Sequence, residues 1–136
     1  MCRSPSSVPQ DAAVDDGRRA LGAEGEARAA RFLAARGYRI VGRNVRAGGV
    51  ELDLVATRGP VVAFVEVKTR RSRAAGAPEE AVDARKRERL ARGALSWLAA
   101  NGRPWHRARF DVIACEWSPE DGWSLRHWPS AFEAGE

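Results

Sequence analysis

The stretch Val50–Arg70, VELDLVATRGPVVAFVEVKTR, decides the fold of this chain. It contains two arms in which apolar and polar residues alternate as in half-buried β-strands, and the turn signal Gly59-Pro60 separates them. A two-residue turn at this dipeptide pairs residues whose numbers sum to 119, so Asp53 faces Glu66 on one side of the sheet. The sequence therefore predicts a β-hairpin that brings two carboxylates together.

Two directly opposed carboxylates, with Cβ atoms about 4.5–5.5 Å apart, repel each other unless a positive charge lies between them. Lys68 shares the face of Glu66 and lies opposite Glu51 in the same register. The chain has 21 arginines and only two lysines, Lys68 and Lys86. An ammonium can lose its proton when buried, whereas a guanidinium stays charged. We therefore predict Asp53, Glu66 and Lys68 as catalytic residues around a divalent cation.

A second interpretation of the same residues needs no metal. Lys68 then neutralises Glu51 across the strand pair, and the two acids remain a solvated pair on an exposed face. Val62 and Phe64 share the face of Glu66, so this surface begins apolar, and charges within an apolar surface need partners. The apolar neighbours favour the metal site over the solvated pair.

Further elements follow on both sides of the hairpin. Two glycines in the first predicted helix, Gly22 and Gly25, each cost about 1 kcal/mol relative to Ala, which is understandable if backbone or ligand comes close beside Glu26. Gly37 is placed to end that helix in a left-handed conformation. The predicted elements are a helix from Arg18 to Arg36, a strand from Tyr38 to Val45, a helix from Pro78 to about Ala100, a strand from Arg107 to Trp117 and a short edge strand near Trp123 to Trp128.

Length and composition predict one domain. The chain has 136 residues, of which 44% are hydrophobic, enough for a single core. Residues 1–17 are rich in Ser, Pro, Asp and Ala and are predicted as a disordered leader, followed by one domain at 18–130 and a tail at 131–136. No segment is apolar enough for a signal peptide or a membrane anchor, and Cys2 and Cys115 match no disulfide or zinc pattern. We expect reduced thiols, a cytoplasmic location and no membrane partner.

Charge points to a polyanionic partner. The formal net charge is +5. Residues 1–17 carry one Arg and three Asp, a net charge of −2, so residues 18–136 carry +7. A basic body of this kind is attracted to nucleic acid. Arg70, Arg71 and Arg73 follow the acidic motif, and with Lys86 they are predicted to line a phosphate path, although a solvated basic loop explains them equally well.

The remaining polar and aromatic residues are predicted to be structural. Asp111 alternates with core residues and is expected to pair with Arg109 or an edge backbone group. Trp97 is expected in the core, and Trp117, Trp123 and Trp128 over the last edge of the sheet. The two histidines, His106 and His127, are expected on the surface.

Asp53, followed thirteen positions later by Glu66-Val67-Lys68, resembles the D…ExK signature of the PD-(D/E)xK restriction-endonuclease-like nucleases. Further blocks resemble the YraN family of uncharacterised bacterial proteins, and the likeness covers roughly residues 19–117. These blocks are Gly22-Ala23-Glu24-Gly25-Glu26, Gly37-Tyr38, Arg43-Asn44, Glu51-Leu52-Asp53-Leu54-Val55-Ala56, Phe64-Val65-Glu66-Val67-Lys68-Thr69-Arg70 and Arg109-Phe110-Asp111-Val112.

This resemblance implies an α/β fold with a restriction-endonuclease-like αβββαβ core, a mixed sheet flanked by helices, and kinship with Holliday-junction resolvases. By the same resemblance, Asp53, Glu66 and the Val67 carbonyl would ligate Mg²⁺ or Mn²⁺. Glu26 would complete the shell directly or through water, and Lys68 would position the nucleophile. The products would be a 5′-phosphate and a 3′-hydroxyl.

The resulting hypothesis is a Mg²⁺-dependent endonuclease that hydrolyses phosphodiester bonds in structured or branched DNA. A homodimer would let two copies cut two strands. One alternative is a non-catalytic nucleic-acid-binding accessory module with the same fold, which predicts metal-independent, salt-sensitive binding. Another is a small interaction protein whose basic surface serves solubility or contacts an acidic partner.

Overall fold

The computed structural model describes residues 10–71, 84–101 and 107–132. Predictions that fall on residues 1–9, on the loop at 72–77, on the helix start at 78–80, on His106 and on the tail at 133–136 lie outside the described residues. The elements in chain order are α1 (Gln10–Ala35), β1 (Arg39–Ala47), β2 (Val50–Arg58), β3 (Val61–Arg71), α2 (Ala84–Asn101), β4 (Arg107–Ser118) and β5 (Gly122–Phe132).

The five strands form one mixed sheet in the order β1-β2-β3-β4-β5. Neighbouring strands are antiparallel except β3 and β4, which are parallel. A parallel pair requires a long crossover, and α2 lies in that connection. The predicted αβββαβ order and mixed sheet are confirmed. The edge strand β5 is longer than predicted and continues to Phe132, past the expected domain end at residue 130.

Helix α1 begins earlier than predicted and ends where expected. Its first residue is Gln10 rather than Arg18, so the helix includes residues 10–17, which the sequence had assigned to the leader. Alanines and aspartates in this segment suit a helix start, since Ala has the highest helix propensity and acids favour the N-terminal dipole. At the other end Gly37 has φ +91°. The N–H groups of Gly37 and Tyr38 donate to the carbonyls of Ala34 and Leu33, both at 3.1 Å, which is the Schellman arrangement.

The helices cover opposite faces of the sheet. Helix α1 packs through Ala29, Ala30 and Leu33 against Leu54, Ala56, Ala63, Val65, Val67, Ile113 and Cys115. Helix α2 packs through Leu90, Ala94 and Trp97 against Val50, Leu52, Val55, Val62, Phe64, Phe110 and Val112. Trp97 is therefore in the core, as predicted, with its ring edge-on to Phe64 at 5.7 Å.

Glycines mark the closest approaches of the helices to the sheet. A Cβ on Gly25 would clash with the side chain of Thr69 on β3, whereas a Cβ on Gly22 would meet nothing within 4 Å. A close approach beside Glu26 is thus found at Gly25, where the neighbour is the Thr69 side chain, and not at Gly22 among the described residues. A Cβ on Gly93 of α2 would stand 3.2 Å from the Ala47 carbonyl oxygen, so α2 also lies very near its strands.

The hairpin has the predicted register. The β2–β3 pairs run from Leu54↔Val65 to Arg58↔Val61, and in each pair the residue numbers sum to 119. Gly59 adopts φ +59°, the positive value that a two-residue hairpin turn demands. The ladder stops at Leu54, so the predicted Asp53–Glu66 and Glu51–Lys68 pairs lie beyond its end. Glu51 pairs with Arg46 of β1 instead.

Strand β2 also breaks its alternation at the end of the ladder. Leu52 and Val55 belong to the cluster under α2, while Leu54 belongs to the cluster under α1. Strict alternation would place Leu52 and Leu54 on the same face. The change of face falls at Asp53, which is where β2 and β3 cease to pair.

Candidate active site

An open cavity of about 530 Å³ lies where β2 and β3 separate beneath the start of α2. Three of the predicted site residues, Asp53, Glu66 and Lys86, line it together with Glu51. The cavity thus unites carboxylates from two strands with an ammonium from a helix. We call it the acid cavity.

Asp53 lies at the end of the β2–β3 ladder. Its Oδ2 accepts a hydrogen bond from the Val67 N–H at 2.9 Å, where a paired strand would offer a carbonyl. Burial and the negative charge of Glu66 raise the pKa of Asp53 to about 7, with a further contribution from Glu26. The Val67 N–H and Lys86 act in the opposite direction and do not compensate. Asp53 therefore lies where an additional positive charge would be stabilising.

Glu66 is buried, and the ammonium groups of Lys68 and Lys86 both contact the same oxygen of its carboxylate. Its Oε2 is 2.6 Å from Nζ of Lys86 and 3.3 Å from Nζ of Lys68. The predicted partnership of Lys68 with Glu51 is wrong, because the strand pairing that would oppose them ends at Leu54. Lys86, predicted to line a phosphate path, contacts the acid itself.

The two lysines differ in their protonation energetics. Burial and the neighbouring Lys86 lower the pKa of Lys68, although Glu66 opposes this shift. Burial acts to lower the pKa of Lys86 too, but its hydrogen bonds with Glu66 and Lys68 outweigh burial and raise it. Lys86 is thus the persistent counter-ion of Glu66, and Lys68 is the lysine that gives up its proton more readily.

Glu26 belongs to α1, which covers the face of the sheet opposite α2. It lies on α1 next to Gly25, and the close approach of Gly25 to Thr69 brings this turn of the helix against β3. Its charge contributes to the raised pKa of Asp53. Across residues 10–71, 84–101 and 107–132, no three or more His, Cys, Asp or Glu side chains form a group that could hold a metal ion. The described lining of the acid cavity thus has the carboxylates of Glu51, Asp53 and Glu66, whereas Glu26 acts on Asp53 only through its charge.

The predicted arginines after the motif do not form one path. Arg71 lies opposite Trp117 in the β3–β4 register, and its guanidinium lies over the Trp117 ring at 5.1 Å. By strand alternation Arg70 shares the face of Glu66 and Arg71 the opposite face. Arg73 lies outside the described residues.

Three further arginines of the described residues line the acid cavity, and none of them was predicted as a site residue: Arg46, Arg85 and Arg89. Arg85 and Arg89 are four residues apart on α2, so they share one side of the helix. Since Leu90 is the first buried residue of α2, the residues around it mark the rim of the helix contact. The position of Arg85 and Arg89 on either side of the helical turn before Leu90 could have been found in the sequence.

A second charged cluster lies on the opposite face of the sheet around Asp111, which is fully buried. Arg109 donates to both carboxylate oxygens at 2.9 Å, and the Ser130 N–H donates to Oδ1 at 3.0 Å. His127 Nε2 is 2.8 Å from Oδ2. The expected pairing of Asp111 with Arg109 and with edge backbone is confirmed. The surface assignment of His127 was wrong, because β4–β5 pairing turns its ring onto Asp111.

The Asp111 cluster is compensated at every oxygen. Burial alone would raise the pKa of Asp111, but His127, Arg109 and the Ser130 N–H outweigh burial and lower it. The hydrogen bond to Asp111 raises the pKa of Arg109. Arg109 also donates to the Tyr38 hydroxyl at 2.5 Å. This cluster ties β4 and β5 to the segment that follows α1.

Cys115 is a free thiol beneath α1. Its Sγ lies 3.4 Å from the Gly25 carbonyl oxygen, and burial raises its pKa to about 12. The reduced state expected for Cys115 agrees with this environment, while Cys2 lies outside the described residues. In the part of the chain that the structure describes, neither helix combines the length and the apolar character that a membrane crossing requires.

Comparison with known proteins places the chain in a family. Residues 25–115 match the family described as Uncharacterised protein family UPF0102. The chain is similar to UPF0102 proteins of Nocardia farcinica (51% identity, covering 75% of this chain and 80% of the relative) and Symbiobacterium thermophilum (49%, covering 85% and 98%). It is also similar to the one of Trichlorobacter lovleyi (45%, covering 88% and 95%). The chain therefore belongs to UPF0102, the YraN family, within the restriction-endonuclease-like superfamily.

Proposed function

We propose that this protein is a divalent-metal-dependent endonuclease that hydrolyses phosphodiester bonds in structured or branched DNA. The observation that carries the proposal is the pair Asp53 and Glu66, held in one cavity with the pKa of Asp53 raised to about 7. A binding surface alone has no need for two carboxylates that repel each other. A site for a hard cation does need them.

The donors present fit Mg²⁺ or Mn²⁺. Magnesium is commonly held by one or two carboxylates and keeps several waters, so a third protein carboxylate is not required. Asp53 and Glu66 would hold the ion, with Glu26 directly or through water. The Val67 carbonyl is a further candidate, because the N–H and C=O of one strand residue point to the same side and the Val67 N–H points at Asp53. A bound ion would neutralise charge on the attacked phosphate and ease deprotonation of water.

Lys68 is the general base in this proposal. Its ammonium lies 3.3 Å from Glu66 Oε2 on a side chain 25% exposed, close to the acids and open to a water. Because burial and Lys86 lower the pKa of Lys68, its side chain can lose a proton, and the neutral amine can then accept a hydrogen bond from the attacking water and take up the proton of that water. Lys86 holds Glu66 in place through the 2.6 Å contact.

The test is a cleavage assay. Purified protein is incubated with linear, flapped and four-way DNA in Mg²⁺ or Mn²⁺, beside Glu66→Ala, Lys68→Ala and the control Glu88→Ala, an exposed acid of α2. We expect cutting of branched substrates that falls at least about 100-fold in the two site variants and is unchanged in the control. If the protein cuts nothing, or both site variants cut as well as the wild type, the enzyme proposal fails.

A second candidate is metal-independent binding of nucleic acid. Two observations favour it: Lys86 already neutralises Glu66, and the described residues offer no group of three metal-binding side chains. This function predicts that DNA binds equally well in EDTA and in Mg²⁺, and that Glu66→Ala leaves the affinity unchanged. Tight binding without cutting in the assay above would select this candidate.

A further inference from the structure

We propose that Arg46, Arg85 and Arg89 form a binding site for the sugar-phosphate backbone of a nucleic-acid strand along the β1–α2 side of the acid cavity. The inference rests on the proposed function, which supplies the class of ligand. It adds a path for the strand on the side of the cavity formed by β1 and α2, away from the arginines that follow Lys68 on β3.

The three arginines have available guanidinium groups. Each residue is exposed and lines the same cavity as Asp53 and Glu66. Among the described residues, none of the three takes part in an ion pair, although Glu51 lies opposite Arg46 in the β1–β2 register. Their donors are therefore available to a ligand.

Their placement follows the cavity rim. Arg85 and Arg89 share one side of α2 and are separated by about 6 Å along the helix axis. Arg46 comes from β1, a different element bordering the same opening. A strand that contacts all three must pass over the cavity, which brings one of its phosphodiesters above Asp53 and Glu66.

The electrostatics of the cavity require such a rim. The carboxylates of Glu51, Asp53 and Glu66 that line the cavity repel a phosphate. Lys68 and Lys86 are both engaged with Glu66. Guanidinium groups form paired, charge-assisted hydrogen bonds with phosphate oxygens, so three of them offset that repulsion. Contacts of this kind position a backbone without reading its bases.

A second open cavity provides an internal control. It has a volume of about 550 Å³ and lies on the α1 side, where Arg31 and Arg43 line it. Among the described residues, its lining contains no acidic side chain. Removing these two arginines changes the net charge as much as removing Arg85 and Arg89, but leaves the acid cavity untouched.

The experiment measures binding without turnover. The anisotropy of a fluorescein-labelled four-way junction and of a labelled duplex is titrated in EDTA with wild-type protein, Arg85→Ala/Arg89→Ala and Arg31→Ala/Arg43→Ala. We expect the α2 double variant to raise Kd about 10-fold or more and to reduce the salt slope by about 0.9 for each lost phosphate contact, while the control changes Kd less than about twofold. Arg46→Ala should act in the same direction. Thermal melts verify that each variant is folded.

Equal losses in both double variants, a change below twofold in the α2 variant, or no binding by the wild type would overturn the inference. The outcome is separable from that of the cleavage assay. Cutting by the wild type with unchanged binding by the α2 double variant removes the path and leaves the enzyme. Binding that depends on Arg85 and Arg89 without any cutting leaves the path and removes the enzyme.

Discussion

Asp53 on β2 and Asp111 on β4 are separated in the sheet only by β3, yet the fold shifts their pKa values in opposite directions. Asp111 is the more buried of the two and has the lowered pKa. Burial acts to raise the pKa of both carboxyls, so burial alone does not explain why the two shifts are opposite. The difference lies in the partners that each carboxylate receives.

Asp111 has a guanidinium on both oxygens, a backbone N–H and an imidazole. Asp53 has one backbone N–H and faces the negative charges of Glu66 and Glu26. A carboxylate whose oxygens are all compensated stabilises the packing around it. A carboxylate without enough positive charge around it lowers the stability of the protein and favours the binding of a cation. Such a loss of stability is expected at functional sites.

The largest effect should come from breaking the compensated cluster. Asp111→Ala leaves the Arg109 guanidinium without its carboxylate in a buried place, so we expect the free energy of unfolding to fall by about 3–5 kcal/mol in a denaturant titration. The control Asp121→Ala removes an exposed carboxylate from the β4–β5 turn and should change stability by less than about 0.5 kcal/mol. Equal stabilities of the two variants would contradict the structural role of Asp111.

A change of stability in the opposite direction is expected when the charge of Asp53, the uncompensated acid, is removed. Asp53→Asn keeps an acceptor for the Val67 N–H and removes the charge that Glu66 repels, so we expect the free energy of unfolding at pH 8 to rise by about 1–3 kcal/mol in the metal-free protein. The folded-state pKa of about 7 exceeds the ordinary value of 3.8, so the folded protein binds the extra proton between these limits. Wild-type stability from this group is full below pH 3.8 and is lost as pH rises through 7.

The measurement is a set of denaturant titrations from pH 4 to pH 8. The difference between Asp53→Asn and wild type should grow with pH across this window. Asp111 contributes with the reverse sign, since its lowered pKa stabilises the fold above the ordinary value and that contribution is lost on acidification. A difference that is constant with pH would show that the charge of Asp53 is already compensated.

A smaller effect, on metal affinity, is expected from removing the ammonium of Lys86. Lys86→Met removes the ammonium 2.6 Å from Glu66 and leaves its oxygen for a metal, so Mn²⁺ should bind about 5-fold to 10-fold more tightly by calorimetry, which is about 1 kcal/mol. Arg89→Met, which removes a positive charge from the same cavity without contact with Glu66, serves as the control and should change the affinity less than about twofold. Equal gains in affinity in both variants would show that Lys86 affects Mn²⁺ binding only through its positive charge and not through its contact with Glu66.

Part of this site could be predicted because it depends on local periodicity. Alternation with period two and the Gly59-Pro60 turn determine the register, and the register is enough to bring Asp53 near Glu66. The end of the ladder at Leu54 was not predictable in this way. It depends on β2 changing faces at Asp53, and it explains why Lys68 meets Glu66 instead of Glu51.

Contacts between elements distant in sequence were predicted least well. The Lys86–Glu66 contact needs α2 to lie close to the strands, and the Gly93 approach to Ala47 is what allows this. The Asp111–His127 contact needs the β4–β5 register, in which His127 pairs with Ile113. Single-sequence patterns give the direction of a side chain on its own element, but not the element that will face it.

The position of Cys115 beneath α1 makes the reactivity of its thiol a measure of helix docking. Its sulfur lies against the Gly25 carbonyl and is shielded from water, so a thiol reagent in solution can modify it only while α1 is lifted from the sheet. The same helix turn carries Glu26. The labelling rate of Cys115 therefore measures how often the helix that carries Glu26 leaves the sheet, and a nucleic acid or metal that stabilises the docked helix would slow this labelling.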